Sequence, residues 1–349
     1  MRKISDLVRP NIRRLKPYSS ARDEYTGKAG IFLDANENSI GSVSPEKNNR
    51  YPDPYQSEVK AKISEITQID PQNIFLGNGS DEAIDLLIRI FCEPGEDEIL
   101  TLPPTYGMYK VAADINNITV NEVQLDDNFD IDVHKTLAAI TKDTKMLFVC
   151  SPNNPSGNMM SKARIRELLN NFDGIVVVDE AYIDFSNDKG MLPQVNNYFN
   201  LVVLRTFSKA WGMANIRLGM AFANREIIQY MSNVKPPYNV NGVTQQIALK
   251  SLQNIDKKDK MIQEIINGRD YLEGALQQFD QIEKIYPSDS NFLLVKFQNS
   301  DKVFDYLMNE KIIVRNRSNQ PGCNNCLRIT VGTKDENKTL IKSLKRLIK

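Results

Sequence analysis

A lysine in the segment TFSKAWG (residues 206–212) is the first candidate for chemistry, because Lys209 lies just after an apolar stretch, 201–204. Asp179 ends a second apolar stretch, 175–178, and Asn154 lies in a turn after a third, 145–150. Arg217 begins a fourth. A lone lysine is usually a solvated surface residue. A lysine, a carboxylate, an amide and a guanidinium that all lie at strand ends are instead the set that one cofactor requires.

That cofactor is pyridoxal phosphate (PLP). Its aldehyde needs a lysine for a Schiff base, and its pyridine nitrogen needs a carboxylate that keeps it protonated. Its phenolate oxygen needs donors such as Asn and Tyr. Its phosphate needs an Arg, hydroxyls and the backbone N–H groups of a helix N-terminus. The turn GNGSD (residues 77–81), which precedes a helical run, supplies those last groups. These residues together predict a PLP enzyme.

The composition agrees with chemistry that depends on a lysine and a cofactor. The 349 residues include 44 Lys and Arg, 44 Asp and Glu, and a single histidine. Zero net charge argues against a surface built mainly to bind nucleic-acid phosphates. One histidine, His134, excludes a His-rich metal site, and we interpret it as structural or solvated. Four cysteines are too few for a disulfide framework, and the CxxC of Cys323 and Cys326 lacks a second pair to complete a zinc site. We expect no metal.

The elements that position these residues follow a regular pattern. From about residue 55, helices alternate with short apolar strands, which predicts an α/β fold with a mainly parallel sheet between helices. Functional loops of such sheets gather at the carboxyl ends of the strands. After about residue 240 the pattern predicts a smaller α+β domain. We divide the chain into an N-terminal arm (1–44) that packs with the small domain through a strand-like segment at 31–33, a large domain (45–250) and a small domain (251–349).

The N-terminal residues lack the apolar run of a secretory signal, and no run approaches the roughly 18 apolar residues of a membrane span. We therefore expect a cytoplasmic protein without a membrane segment.

The chain resembles the fold-type I PLP-dependent aminotransferases and, among them, the histidinol-phosphate aminotransferase family. The motifs around Lys209, Asp179 and Arg217 are shared by many aminotransferases, whereas NRYPDP (49–54) and PPYNVN (236–241) are typical of this narrower family. The resemblance extends from the N-terminal arm to the last strand and implies a seven-stranded sheet in the large domain. One departure is Ser39, where the family usually has a proline.

The resemblance also implies a role for each candidate residue. Lys209, Asp179 and Tyr182 are the catalytic residues; Lys209 bonds to the cofactor, Asp179 meets the pyridine nitrogen, and Tyr182 holds the phenolate oxygen. Further cofactor-binding residues are Asn154 at the phenolate oxygen, Tyr106 on the ring face, and Ser80, Asp81, Ser208, Arg217 and Tyr51 at the phosphate. Tyr51 would come from a neighbouring subunit, which implies a homodimer with shared active sites. Substrate-binding residues are Tyr18, Asn36, Arg315 and Arg328.

The activity implied by the resemblance is transfer of an amino group between histidinol phosphate and 2-oxoglutarate, with glutamate as a product, in histidine biosynthesis. Two alternatives of the same fold, an aromatic amino-acid aminotransferase and a threonine-phosphate decarboxylase, would keep Lys209 and Asp179. Two alternatives of another class are a ligand-sensing regulator and a non-enzymatic α/β scaffold. Neutral charge argues against a regulator that binds DNA.

Overall fold

The computed structural model describes residues 3–18 and 30–347. The described helices are α1 (Ile4–Leu7), α2 (Pro10–Arg13), α3 (Ser57–Thr67), α4 (Gly79–Phe91), α5 (Met108–Ile115), α6 (Val133–Ala138), α7 (Lys162–Asn171), α8 (Arg225–Val234), α9 (Gly242–Ser251), α10 (Ile255–Leu276), α11 (Ser300–Asn309) and α12 (Lys334–Leu347). The described strands are β1 (Ile74–Asn78), β2 (Glu98–Thr101), β3 (Thr119–Glu122), β4 (Thr144–Cys150), β5 (Ile175–Asp179), β6 (Leu201–Thr206), β7 (Leu218–Ala223), β8 (Ile282–Ile285), β9 (Phe292–Phe297), β10 (Arg315–Asn316) and β11 (Cys326–Thr330).

Seven strands form one sheet in the order β1-β7-β6-β5-β4-β2-β3. The strands β3, β2, β4, β5 and β6 pair in parallel, and β7 runs antiparallel to both β6 and β1. The predicted α/β fold with a mainly parallel seven-stranded sheet is therefore confirmed. Because β7 has the opposite direction, its first residue lies at the edge where the other strands end. Arg217, just before β7, thus joins Asn78, Cys150, Asp179 and Thr206 at one edge of the sheet.

Apolar residues cover both faces of this sheet. Val177 packs in a cluster with α4, α5 and α8, whereas Val176 and Val178 pack in a second cluster with α3, α7 and α9. All five residues of β5 are buried. Continuous apolar strands are what a sheet that is covered on both sides requires. The two layers leave the carboxyl edge of the sheet as the place where polar side chains remain accessible.

Four antiparallel strands form a second sheet in the order β10-β11-β9-β8. One face packs on α10, α11 and α12 through residues such as Leu293 and Leu327. The other face packs on the large domain, where Phe292 contacts the cluster of Tyr182 and Leu294 contacts that of Phe129. This second contact places the small sheet beside the carboxyl edge of the large one.

The beginning of the chain differs from the sequence-based expectation. Ile4, Leu7 and Val8 are buried in the same cluster as α4 and α8 of the large domain, so these residues do not pack with the small domain. Residues 31–33 form no strand, and Ile31 and Leu33 are 91% and 84% exposed. The predicted strand at 31–33 was wrong, because an apolar triplet does not by itself specify a pairing partner. Residues 1–2 and 19–29 of the predicted arm lie outside the described residues.

Within the described ranges, no helix is both long and apolar enough to cross a membrane. In the same part of the chain, no three His, Cys, Asp or Glu side chains converge in a group that could hold a metal ion.

The start of α4 lies directly against β7, and a glycine makes this approach possible. A Cβ atom at Gly219 would lie 2.2 Å from both the carbonyl carbon of Gly79 and the backbone nitrogen of Ser80. Gly79 itself has φ +74°, and its backbone N–H donates to the carbonyl oxygen of Arg217 at 2.8 Å. The backbone at position 219 therefore sets where α4 begins.

We expect Gly219→Ala to destabilise the protein by about 2–4 kcal/mol, because the new methyl group meets backbone that has no room to move. Gly274→Ala is the matched control, since its Cβ meets no atom within 4 Å on helix α10. Replacing a helical glycine by alanine stabilises by up to about 1 kcal/mol. Urea unfolding of both variants measures the difference. Equal stabilities would contradict the close approach.

Candidate active site

A cleft of about 140 Å³ opens at the carboxyl edge of the large sheet. Most of the predicted cofactor residues line it. Its lining consists of Gly79, Ser80, Asp81, Tyr106, Cys150, Asp179, Ala181, Tyr182, Thr206, Ser208, Lys209, Ala214 and Arg217. These residues come from four strand ends and the start of one helix. The topology thus brings together what the sequence separates by more than a hundred positions.

Lys209 reaches the cleft from the loop that follows β6. Its Nζ atom lies 5.5 Å from the centroid of the Tyr182 ring. Burial lowers the pKa of Lys209, and the nearby Arg328 guanidinium lowers it further. A lysine whose pKa is depressed is more often neutral, and only the neutral amine acts as a nucleophile or a base. The site therefore favours the reactive form of this side chain.

Asp179 is the most deeply placed charged group in the cleft, with a side chain that is 2% exposed as part of a fully buried strand. Its Oδ2 atom accepts a hydrogen bond from the Tyr109 hydroxyl at 2.8 Å, and its Oδ1 atom accepts one from the Ala181 N–H at 3.1 Å. Burial raises the pKa of Asp179 from 3.8 to about 6, although both hydrogen bonds oppose this rise. A carboxylate in this position is costly unless a cation lies beside it.

Two tyrosines border the space between Lys209 and Asp179. The Tyr106 hydroxyl donates to Asp81 Oδ1 at 3.1 Å, and its ring meets the edge of Tyr109 with centroids 5.6 Å apart. Tyr182 is 8% exposed and packs edge-on against Phe292. Burial raises the pKa of both tyrosines, so both hydroxyls keep their protons and remain hydrogen-bond donors.

Arg217 and the first turn of α4 form an anion cradle. Arg217 has φ +53°, and its guanidinium lies so close to Gly79 that a Cβ there would be 2.6 Å from Nη2. The same Nη2 atom lies 3.4 Å from Asp81 Oδ2. The free backbone N–H groups of a helix N-terminus attract anions, and the hydroxyls of Ser80 and Ser208 line the same cleft. This arrangement suits a phosphate group.

Asn154 lies beside Arg328 of the small domain. Its Oδ1 atom accepts a hydrogen bond from Arg328 Nη1 at 2.5 Å. Because the amide oxygen is engaged in this way, the amide NH₂ group is the part that remains available to donate to a ligand. Arg328 itself packs its guanidinium carbon 5.1 Å from the centroid of Phe292. Asn154 therefore keeps an amide donor of the kind that a phenolate oxygen requires.

Six of the predicted residues are not among those that line the cleft, namely Asn154, Arg328, Tyr51, Tyr18, Asn36 and Arg315. Tyr51 is 51% exposed and stacks on Tyr238, with ring centroids 4.4 Å apart. Tyr18 is 76% exposed, and Asn36 is exposed with φ +53°. Arg315 is exposed on β10, opposite Arg328. The roles of these residues in a site stay predictions.

PLP fits the residues that are present. The Lys209 amine could bond to the aldehyde and the Asp179 carboxylate could meet the pyridine nitrogen, while Asn154 and Tyr182 carry donors of the kind that the phenolate oxygen needs. The close approach of Arg217 to Gly79 creates a cradle that a side chain at position 79 would fill. The buried Asp179 carboxylate matches a protonated ring nitrogen in charge. The residue types that PLP requires, a lysine, a carboxylate, an arginine, and hydroxyl and amide donors, are thus present at this edge of the sheet.

Two residues near the cleft escaped the sequence analysis. Tyr109 is fully buried and is the only described side chain that donates to Asp179. It lies in the first turn of α5, three residues after Tyr106, and nothing in the sequence distinguishes it from a core tyrosine. Arg317 lies two residues after Arg315, so the period of a strand would place both on one face.

The remaining sequence features lie elsewhere. Cys323 and Cys326 are buried free thiols in a small apolar cluster with Phe129 and Leu294. Burial raises the pKa of Cys323 to about 12 and that of Cys326 to about 11, so neither is poised for thiolate chemistry. His134 is exposed in the first turn of α6.

Comparison with known proteins agrees with this geometry. Residues 24–344 match the model of the family "Aminotransferase class I and II". A histidinol-phosphate aminotransferase from Cytophaga hutchinsonii is 53% identical over 98% of this chain and 98% of its own length. The histidinol-phosphate aminotransferase structure from Clostridium acetobutylicum is 25% identical, covers 86% of this chain and 91% of its own, and superposes with a TM-score of 0.80. The histidinol-phosphate aminotransferase structure from Sinorhizobium meliloti, solved in complex with pyridoxal-5'-phosphate, is 20% identical. It covers 97% of this chain and 96% of its own, with a TM-score of 0.79.

The chain therefore belongs to the class I and II aminotransferases and, within them, to the histidinol-phosphate aminotransferase family. The family and the enzyme class that the sequence motifs predicted are confirmed.

The raised pKa of Asp179 predicts how PLP-free protein responds to pH. The folded protein holds the Asp179 proton more tightly than the unfolded chain does, so this group destabilises the fold as pH rises from about 4 through 6. Asp179→Asn removes the charge. We expect PLP-free Asp179→Asn to exceed the wild type in stability at pH 7 by up to about 3 kcal/mol, and the two to converge near pH 4.

Urea unfolding at several pH values measures this difference. Asp305→Asn is the control, because Asp305 is an exposed carboxylate on α11. A wild-type profile parallel to that of Asp179→Asn would show that Asp179 titrates normally.

Proposed function

We propose that this protein transfers the amino group of L-histidinol phosphate to 2-oxoglutarate, forming imidazole-acetol phosphate and L-glutamate, with PLP as cofactor. The observation that carries the proposal is the convergence of Lys209, the buried Asp179 and the Arg217 cradle in one cleft, next to Arg328. The first three serve the cofactor, and Arg328 serves an anionic substrate. Relatives that are about half identical carry this activity in their name.

PLP supplies, when bound, an aldehyde that takes up the amino group and a ring that accepts the electrons of the broken C–H bond. Lys209 would hold the cofactor before reaction and would then accept at Nζ the proton that leaves the substrate carbon. Its lowered pKa suits this work, since a base must be neutral to accept a proton. Asp179 places negative charge at the ring nitrogen, and Tyr109 and the Ala181 N–H hold its two oxygens in place.

Ser80, Asp81, Ser208 and Arg217 are proposed to bind the cofactor phosphate, Ser80 and Asp81 partly through their backbone N–H groups. Asn154 and Tyr182 are proposed to donate to the phenolate oxygen, and Tyr106 is proposed to cover the ring face.

Substrate recognition is proposed to rest on arginines. Histidinol phosphate has a phosphate and no α-carboxylate, whereas glutamate has two carboxylates. Guanidinium groups bind planar carboxylates and phosphates alike through paired N–H donors. Arg328 and Arg315, which lie opposite each other on β11 and β10, are thus proposed to serve both substrates, with Tyr18 and Asn36 as additional donors.

We also propose a homodimer in which Tyr51 reaches the cofactor phosphate of the partner subunit. In support, large apolar side chains of segment 31–55 are exposed, as is typical of a surface that another chain covers. They are Ile31, Leu33, Ile40, Val43, Tyr51 and Tyr55. We further propose that the chain divides into an arm (1–44), a large domain (45–250) and a small domain (251–349). A cytoplasmic location is also proposed.

Lys209→Ala is expected to abolish transamination, because no other described amine lines the cleft. The visible absorbance band that PLP shows when bonded to a lysine should also vanish. Lys142→Ala, which changes an exposed lysine, is the control and should keep both the activity and the absorbance band.

The substrate is tested by assaying the wild type side by side with histidinol phosphate, phenylalanine and threonine phosphate. A higher kcat/KM for phenylalanine, or carbon dioxide release from threonine phosphate, would favour the alternative enzymes over the proposed one.

Mixing two inactive variants is expected to restore activity if the sites are shared. Tyr51→Phe keeps the stack on Tyr238 but removes the hydroxyl, so at limiting PLP it should be poorly active; Lys209→Ala is inactive. In a hybrid dimer, one site combines a native Lys209 with the partner's native Tyr51. Random exchange of subunits therefore restores about a quarter of the sites. No recovery after exchange, with hybrids verified by mass, would argue that each subunit uses its own Tyr51.

A further inference from the structure

Three arginines lie on one face of the small sheet. Arg315 of β10 is paired in register with Arg328 of β11, and the Arg317 N–H donates to the carbonyl oxygen of Cys326 at 2.9 Å. Residues directly opposite each other in antiparallel strands point to the same side, and residues two apart on one strand do so as well. Arg315, Arg317 and Arg328 therefore share a face. Leu294, the register partner of Arg328, shows that this face is the one that packs on the large domain.

No acidic side chain within the described residues forms an ion pair with any of these three arginines. By contrast, Arg205 pairs with the buried Glu180 at 2.8 Å, and Arg164 pairs with Asp126 at 3.0 Å. The Nε atoms of Arg317 and Arg328 are buried and have no hydrogen-bond partner in the described part of the chain. Burial, together with repulsion from Arg328 and Arg315, lowers the pKa of Arg317. Such a concentration of unpaired positive charge is costly unless an anion binds there.

The face that carries Arg317 meets the cleft, because the Arg328 guanidinium lies 5.1 Å from the centroid of Phe292, whose ring packs edge-on against Tyr182. The charges of both Arg317 and Arg328 act on the Tyr182 hydroxyl, and that of Arg328 acts on Lys209 as well. Tyr182 in turn borders Lys209 in the cleft. A substrate whose amine reaches Lys209 can thus extend its other end toward the three guanidinium groups.

We propose that Arg317 is a third guanidinium of the substrate-anion site and that it makes this site prefer a doubly charged phosphate monoester over a singly charged anion. The proposal deepens the proposed function, since it names the charge state by which the substrate is recognised. Arg315 and Arg328 alone can balance the charge of a carboxylate, whichever of the two substrates is bound. The third adds attraction in proportion to the charge of the ligand, so it contributes about twice as much free energy for a dianion as for a monoanion.

A matched pair of ligands tests this proposal on the PLP-loaded enzyme, in which the cofactor already fills the Arg217 cradle. The pair is 3-phenylpropyl phosphate, a dianion at pH 8, and its methyl diester, a monoanion of nearly the same shape. Neither has an amine, so both act as competitive inhibitors. For Arg317→Gln, we expect the inhibition constant to rise roughly 25-fold for the monoester and about 5-fold for the diester, because doubling the free energy squares the ratio.

Three further measurements control the experiment. Arg317→Lys keeps the charge and is expected to retain most of the preference for the monoester. Arg346→Gln removes an exposed, Glu310-paired arginine from α12 of the same domain and should leave both constants unchanged. In the wild type, affinity for the monoester alone should increase between pH 5 and 7.5, since a phosphate monoester loses its second proton near pH 6.

Equal changes for the two ligands in Arg317→Gln, or a wild type without preference for the monoester, would overturn the proposal. The wild-type measurement requires no variant to fold. Failure of the proposed function has a separate signature, namely absent turnover of histidinol phosphate by a wild type that still distinguishes the two inhibitors.

Discussion

A carboxylate held away from water organises this active site. Asp179 ends a strand whose five residues are all buried, and two donors, the Tyr109 hydroxyl and the Ala181 N–H, hold its oxygens. Burial is the main cause that raises the pKa of this group to about 6 despite both hydrogen bonds, so the ionised form is favoured only with a cation close by. Lys209 cannot be a permanent counter-charge for the Asp179 carboxylate, because an amine that acts as a base must lose its own positive charge. The protonated nitrogen of a bound pyridine ring would supply this cation.

The phosphate cradle depends on backbone rather than on side chains. Arg217 adopts φ +53° at the turn into β7, and the antiparallel direction of β7 is what brings this turn to the carboxyl edge of the sheet. Gly219 then lets α4 begin against β7, and Gly79 leaves room for the guanidinium. Asp179 holds one end of the cofactor site and this cradle the other. The sheet fixes the distance between these two groups, because Asp179 ends β5 and Arg217 directly precedes β7.

Much of this arrangement was predictable from the sequence, because the carboxyl ends of parallel strands all lie at the same edge of the sheet. Lys209, Asp179 and Arg217 all follow or precede apolar stretches, and all line the cleft. The polar edge strand β3 and the direction of β7 have no such signature, since pairing partners are remote in the chain. Tyr109 was missed because a buried tyrosine on a helix is indistinguishable from a core residue until its hydroxyl finds Asp179. The packing of Ile4 on the large domain was missed because an apolar side chain does not specify its partner.

Equal numbers of acidic and basic residues conceal a local imbalance. Arg205 and Arg164 neutralise carboxylates within the protein, so their charges contribute little to any ligand. Arg315, Arg317 and Arg328 have no such partners among the described residues, and their shared face meets the large domain beside Tyr182. Burying unpaired charges lowers stability, and a fold tolerates this cost where function requires the charges. The contrast explains how a chain of zero net charge can select a dianionic substrate: specificity comes from which arginines are left unpaired and where the sheet places them, rather than from how many the chain contains.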